Sequence, residues 1–140
     1  MKSSLKIMVF IIFLSAIFSL YFFSNYNLAF GSGESMKPTL RDCPLLVIDY
    51  SIDKNLIEEG EIALINISGI EAVNPNITTD KIAHRVVEND VINQKISTRG
   101  DNNEVYLYPA QIDGRFDYSR VLGKVIFYVN FPKPICDFNF

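Results

Sequence analysis

The stretch Lys81-Ile82-Ala83-His84-Arg85-Val86-Val87-Glu88-Asn89-Asp90-Val91-Ile92-Asn93-Gln94-Lys95-Ile96-Ser97-Thr98 decides the fold class. It reads as two short runs rich in β-branched residues, 81 to 87 and 91 to 98, parted by the polar cluster Glu88-Asn89-Asp90, the pattern of an antiparallel β-hairpin. No 3.6-residue apolar stripe runs through it. The same texture extends outward. Leu45 to Tyr50, Glu61 to Ile67, Glu104 to Tyr108 and Val121 to Val129 are further candidate strands, separated by Gly, Pro, Asn and Asp. The expectation is a mainly β chain: a small antiparallel β domain, with helix scarce after residue 30.

The first thirty residues are different. Ile7 to Phe23 carry no charge and are apolar except for Ser15 and Ser19. At about 1.5 Å per residue, 17 residues reach ~25 Å, enough to cross a hydrocarbon core, and more if Ser24 to Phe30 continue the run. A cleaved signal peptide has a shorter apolar core followed by small residues, whereas Phe22, Phe23 and Tyr26 follow here. The reading is an uncleaved, single-pass transmembrane anchor over residues 1–30, in the bilayer through residues 7–23. Lys2 and Lys6 on the short flank place the N-terminus in the cytoplasm, and residues 31–140 form one domain on the outer or lumenal face.

Charge narrows the function classes. The chain carries 13 basic and 16 acidic residues, and all the acids lie beyond residue 30. A net charge of −3 with no basic cluster speaks against nucleic acid as a partner. Cys43 and Cys136 are either a bridge on an oxidising side of a membrane or two separate buried thiols. One histidine and two distant cysteines make no ligand cluster, so neither metal nor cofactor is expected.

Three segments carry chemistry. The first, Gly31-Ser32-Gly33-Glu34-Ser35-Met36-Lys37-Pro38-Thr39-Leu40, begins just beyond the apolar run. Its glycines permit a tight turn and Pro38 favours an extended Lys37, which would display Ser35 near the membrane surface. Taken alone this is also ordinary linker composition, but Ser-Met-x-Pro-Thr arises by accident in only roughly one chain of this length in a thousand. The second segment holds the single histidine, His84. Such a residue within an apolar strand is commonly just packed, yet a serine needs a base, and an imidazole with an ordinary pKa of ~6.5 suits that task. Lys81 is the competing base, and on a strand the two side chains point to opposite faces, so only one shares the face that meets Ser35. The third segment, Ser97-Thr98-Arg99-Gly100-Asp101-Asn102-Asn103, is either a plain Asx turn or the source of a carboxylate that completes a Ser-His-Asp triad. A hairpin centred on Asn89 sets His84 opposite about Lys95 and carries Asp101 roughly 20 Å further along, so Gly100 has to turn the chain back.

An anchor, then Ser35-Met36-Lys37-Pro38-Thr39, His84-Arg85-Val86-Val87, Thr98-Arg99-Gly100-Asp101-Asn102-Asn103 and Val121-Leu122-Gly123-Lys124-Val125-Ile126-Phe127-Tyr128-Val129, in that order, resembles type I signal peptidase over nearly the whole chain. Histidine rather than lysine before the arginine resembles the Ser-His branch of archaea and the endoplasmic reticulum. The resemblance implies a membrane-anchored serine endopeptidase of antiparallel β fold that cuts signal peptides from exported preproteins after small residues. It implies Ser35 as nucleophile, its backbone N–H as oxyanion donor, His84 as general base and Asp101 as the acid, with Asp113 as the second candidate and a base lacking a carboxylate as a third. Signal peptides of preproteins are the implied partners, with accessory subunits or a translocon beside them. Three positions depart from the family pattern: Gly33 where a serine is frequent, Glu34 beside the nucleophile, and Leu107 where the orienting aspartate commonly lies. They suggest a rival, a catalytically silent relative that binds precursors or acts as an accessory subunit; a processing peptidase dedicated to one substrate is a separate alternative.

Overall fold

The computed structural model describes residues 2–70, 79–102 and 114–132. Helix α1 (Lys2–Asn25) includes a stretch, Ser4–Asn25, long and apolar enough to cross a membrane. None of that stretch is buried inside the protein; it meets the sheet only at its C-terminal end, where Phe22 lies against Tyr26, so it is apolar all round without a core to fill, as a bilayer span is.

The other described residues are built around an antiparallel sheet. Seven strands, β1 (Tyr26–Phe30), β2 (Cys43–Asp49), β3 (Ile62–Asn66), β4 (Lys81–Asp90), β5 (Lys95–Arg99), β6 (Gly114–Asp117) and β7 (Val121–Phe131), lie in the order β1-β2-β7-β3-β4-β5-β6. The mainly β expectation therefore holds, with one N-terminal apolar helix. Residues 26–30, which the sequence allowed as a continuation of the anchor, leave the helix and pair with β2 from Tyr26↔Asp49 to Phe30↔Leu45. No linker separates helix from sheet: the Tyr50 N–H donates to the carbonyl of Asn25, the last helical residue. Glu104 to Tyr108 lies outside the described residues.

The decisive hairpin turns later than the sequence suggested. β4 runs on through Glu88, Asn89 and Asp90, and the turn is Val91 to Gln94. Asp90 accepts from the Asn93 backbone (3.1 Å) and side-chain amide (2.8 Å), and Gln94 takes the left-handed φ of 52° that reverses the chain. Local side-chain bonding by Asp and Asn thus outweighs the β-branched character of Val91 and Ile92. The register moves with it. Asp90 pairs with Lys95 and Arg85 with Arg99, with one bulge near Val86. His84 thus faces the position after Arg99 rather than Lys95, and the 20 Å gap to Asp101 disappears.

Alternate residues of β3 feed two cores. Ile62 and Leu64 join Met36, Leu40, Leu46, Ile48 and Val125 on the near face. Ala63 and Ile65 join Ile57, Val86, Ile96, Phe116 and Val121 on the far face. Cys43, at the start of β2, is fully buried and disulfide-bonded, the oxidised alternative of the two the sequence left open. Cys136 lies outside the described residues.

Candidate active site

The Ser35 segment is a compact turn. Gly33 takes φ 110°, a conformation that side chains resist, and the turn closes by bonds from the Lys37 N–H to the Glu34 carbonyl (3.1 Å) and from the Leu40 N–H to the Met36 carbonyl (2.9 Å). Met36 and Leu40 are buried in the near-face core, which fastens the turn through the hydrophobic effect. Asn130 of β7 binds it from beyond, donating to the Thr39 carbonyl and accepting from the Arg41 N–H. Glu34, the acid beside Ser35, is directed to Lys37, which its carboxylate meets at 2.8 Å.

Ser35 Oγ and His84 Nε2 lie 3.0 Å apart. His84 is buried while Ser35 is half-buried, so the imidazole is shielded and the hydroxyl stays reachable. The contact forms at the edge of β4. By alternation His84 stands in the row of Ile82 and Val86, which belongs to the far face, whereas Lys81, Ala83 and Arg85 belong to the near face. β5 has ended at Arg99, and the Ser35 turn lies against the residues that follow it. Ser35 therefore meets His84 while also lining a cleft of about 270 Å³ with Met36, Leu46, Leu64, Lys81 and Ala83. The opposite-face argument does separate Lys81 from His84, yet both border the surroundings of Ser35, because the turn sits across the sheet's edge rather than on one face.

Arg85, next to His84, ties three segments together. Its Nε donates to Asp101 Oδ1 (2.7 Å), its Nη2 to Asp101 Oδ2 (2.6 Å) and more weakly to Thr39 Oγ1 (3.3 Å), and its Nη1 to the Gly60 carbonyl. Burial disfavours the charge on the Asp101 carboxyl, but the guanidinium and the Thr39 hydroxyl outweigh it, so its pKa is below the ordinary 3.8. The bond to Asp101 in turn raises Arg85. Both oxygens of Asp101 are thus engaged by Arg85, which gives this acid the geometry of a bidentate brace between the His84 strand and the turn after β5. Asp113 and Leu107 lie outside the described residues.

That turn presses on Ser35. A Cβ on Gly100 would stand 2.6 Å from the Ser35 carbonyl oxygen, so only glycine permits the approach. Beyond it, the Asn102 N–H donates to the Ser35 carbonyl (2.8 Å) and its side-chain amide to the Glu34 carbonyl (3.1 Å). The sequence reading assigned Asn102 no role; its only signal was its place directly after Gly100-Asp101. Among the described residues, no three His, Cys, Asp or Glu side chains converge as metal ligands would.

Chemically, the arrangement offers a hydroxyl within hydrogen-bond reach of an imidazole, open to a cleft of mixed polar and apolar lining. In comparisons with family models, with curated proteins and with solved structures, nothing matches this chain.

Proposed function

We propose that this chain is a membrane-anchored serine endopeptidase that cleaves signal peptides from exported preproteins on the outer or lumenal face of a membrane, with its N-terminus in the cytoplasm. The observation that carries the reading is the 3.0 Å contact of Ser35 Oγ with His84 Nε2 beside a cleft, on a sheet that continues directly from an apolar helix of spanning length. The ordered motifs that resemble type I signal peptidase supply the substrate class.

In the reaction, His84 carries its proton on Nδ1, so that Nε2 is free to accept. As Nε2 takes the Ser35 proton, Oγ attacks the scissile carbonyl, and the Ser35 N–H steadies the developing oxyanion. Collapse of the adduct breaks the C–N bond, and the proton on Nε2 passes to the leaving amine. Water, deprotonated by the same nitrogen, then releases the acyl group and restores the serine. A cleft of about 270 Å³ walled by Leu46, Leu64 and Ala83 suits small apolar side chains. Confinement of enzyme and substrate to one bilayer surface raises the effective concentration of the cleavage site.

The second reading is a catalytically silent relative that binds precursors as an accessory subunit; Gly33 and Glu34 beside the nucleophile favour it. Incubation of a preprotein with the detergent-solubilised chain separates the two. Cleavage is expected from the wild type, with loss in Ser35→Ala and His84→Ala, and Asp101→Asn and Asp113→Asn test the acid. A folded wild type that leaves the preprotein intact, alone and with membrane extract, overturns the peptidase reading. A panel of precursors distinguishes broad use from a single dedicated substrate.

A further inference from the structure

We infer that Asn102 is a positioning residue that aims the oxyanion-binding N–H of Ser35. The inference rests on the peptidase reading above and deepens it.

The Ser35 N–H belongs to the peptide unit between residues 34 and 35, and that unit is planar and trans. Its N–H and C=O therefore point in opposite directions, and a bond that fixes the carbonyl also fixes the N–H. The Glu34 carbonyl accepts from two donors, the Lys37 N–H and the Asn102 side-chain amide, each at 3.1 Å. On the other side of the Ser35 Cα, the next carbonyl accepts from the Asn102 backbone N–H at 2.8 Å. One residue thus holds both peptide planes that flank the nucleophile. Those two planes determine φ and ψ at Ser35, and with them the direction of its N–H relative to its own Oγ.

The chemistry explains why the position takes an amide. A carbonyl oxygen needs a donor, and a side chain of this length that both reaches and donates without charge is asparagine's. Aspartate would set a carboxylate oxygen against the Glu34 carbonyl. Close approach is possible because Gly100 lacks a Cβ where 2.6 Å separates that position from the Ser35 oxygen. The brace from Arg85 to Asp101 then sets the whole turn relative to His84. Donor, nucleophile and base are thereby referred to one another through three consecutive residues, Gly100, Asp101 and Asn102.

Loss of a direct oxyanion donor lowers kcat by about 10²–10³-fold; a donor that remains but is misaimed costs less, about tenfold. The test uses the full chain in detergent with Asn102→Ala and Asn102→Asp. It measures kcat and KM on a preprotein, and the affinities for a substrate-like peptide aldehyde and for the same peptide as its amide. The aldehyde forms a hemiacetal whose oxygen uses the donor; the amide does not. Expected is a kcat about tenfold lower with KM within about twofold, and a matching loss of aldehyde but not amide affinity. Wild-type kcat and aldehyde affinity in both variants overturn the inference, as do parallel losses of amide binding, or unfolding of both variants by circular dichroism, which assigns the residue to the fold. A wild-type chain that neither cuts nor prefers the aldehyde is a different result, because it removes the peptidase reading itself.

Discussion

Ile62 and Leu64 point to one face of β3 and Ala63 and Ile65 to the other, and different material closes the two faces. On the near face, the cover is the Ser35 turn, whose Met36 and Leu40 sink into the core while Ser35 stays at the rim. On the far face, the short 3₁₀ helix Lys54–Leu56 and the region of Tyr118 close the core, locked by Asn89, whose amide donates to the Lys54 and Ile57 carbonyls and whose carbonyl accepts from the Tyr118 hydroxyl. Both covers satisfy the same demands, apolar burial and paired backbone groups. The near-face cover sets a serine hydroxyl beside a cleft, whereas the Tyr118 hydroxyl of the far-face cover is spent on Asn89. The site lies where the near-face cover crosses the end of β5 and reaches a side chain, His84, that stands in the far-face row.

That contrast breaks most visibly under core truncation. Ile65→Ala, in a fully buried far-face position, is expected to cost about 2–5 kcal/mol of stability, read by denaturant titration, while the protein that remains folded keeps its kcat and KM. Leu64→Ala, one residue along, has a comparable cost but also lines the cleft, so KM for the preprotein shifts as well. Equal kinetic changes in the two variants would dissolve the distinction between the faces. A smaller effect sharpens the account of the Arg85 brace. Because the folded pKa of Asp101 lies below the ordinary 3.8, its ionised form stabilises the fold. That contribution is full well above pH 3.8 and is lost as pH falls through the folded value. Asp101→Asn is therefore expected to be less stable than wild type by about 1 kcal/mol at neutral pH, with the gap closing under acid; a gap that persists unchanged at pH 2 contradicts the pairing. Smallest of all, Ile92→Asn, at a hairpin turn residue 94% exposed, belongs to neither face and should change stability by less than about 0.5 kcal/mol.

Much of the fold was legible. The unbroken apolar run of Ile7 to Phe23 marks the helix long and apolar enough to span a membrane, and β2, β3 and β7 fall within two residues of their expected ends. Two errors share one cause, that an apolar run has no periodicity to distinguish strand from helix or strand from turn. Tyr26–Phe30 continues the anchor's composition yet pairs with β2, and Val91 and Ile92 look like strand yet form the turn that Asp90 and Gln94 impose. Gly114–Asp117 is too short to carry a pattern. At the site, Ser35 and His84 were found as residue types in motifs, and their contact depends on the register that Gln94 sets. Asn102 acts through backbone carbonyls, which every residue possesses, so nothing in the sequence advertises its targets.

The unbroken passage from α1 into β1 has a mechanical consequence. Residues Ser4–Asn25 rise about 33 Å at ~1.5 Å each, somewhat more than the ~30 Å of an average hydrocarbon core, and a helix of surplus length accommodates by leaning. With Asn25 bonded to Tyr50 and Tyr26 already in register with Asp49, the lean of the helix is also the lean of the sheet. In a bilayer thinner than the helix is long, that lean would carry the sheet with it, so the height of Ser35 above the lipid would follow the thickness of the membrane.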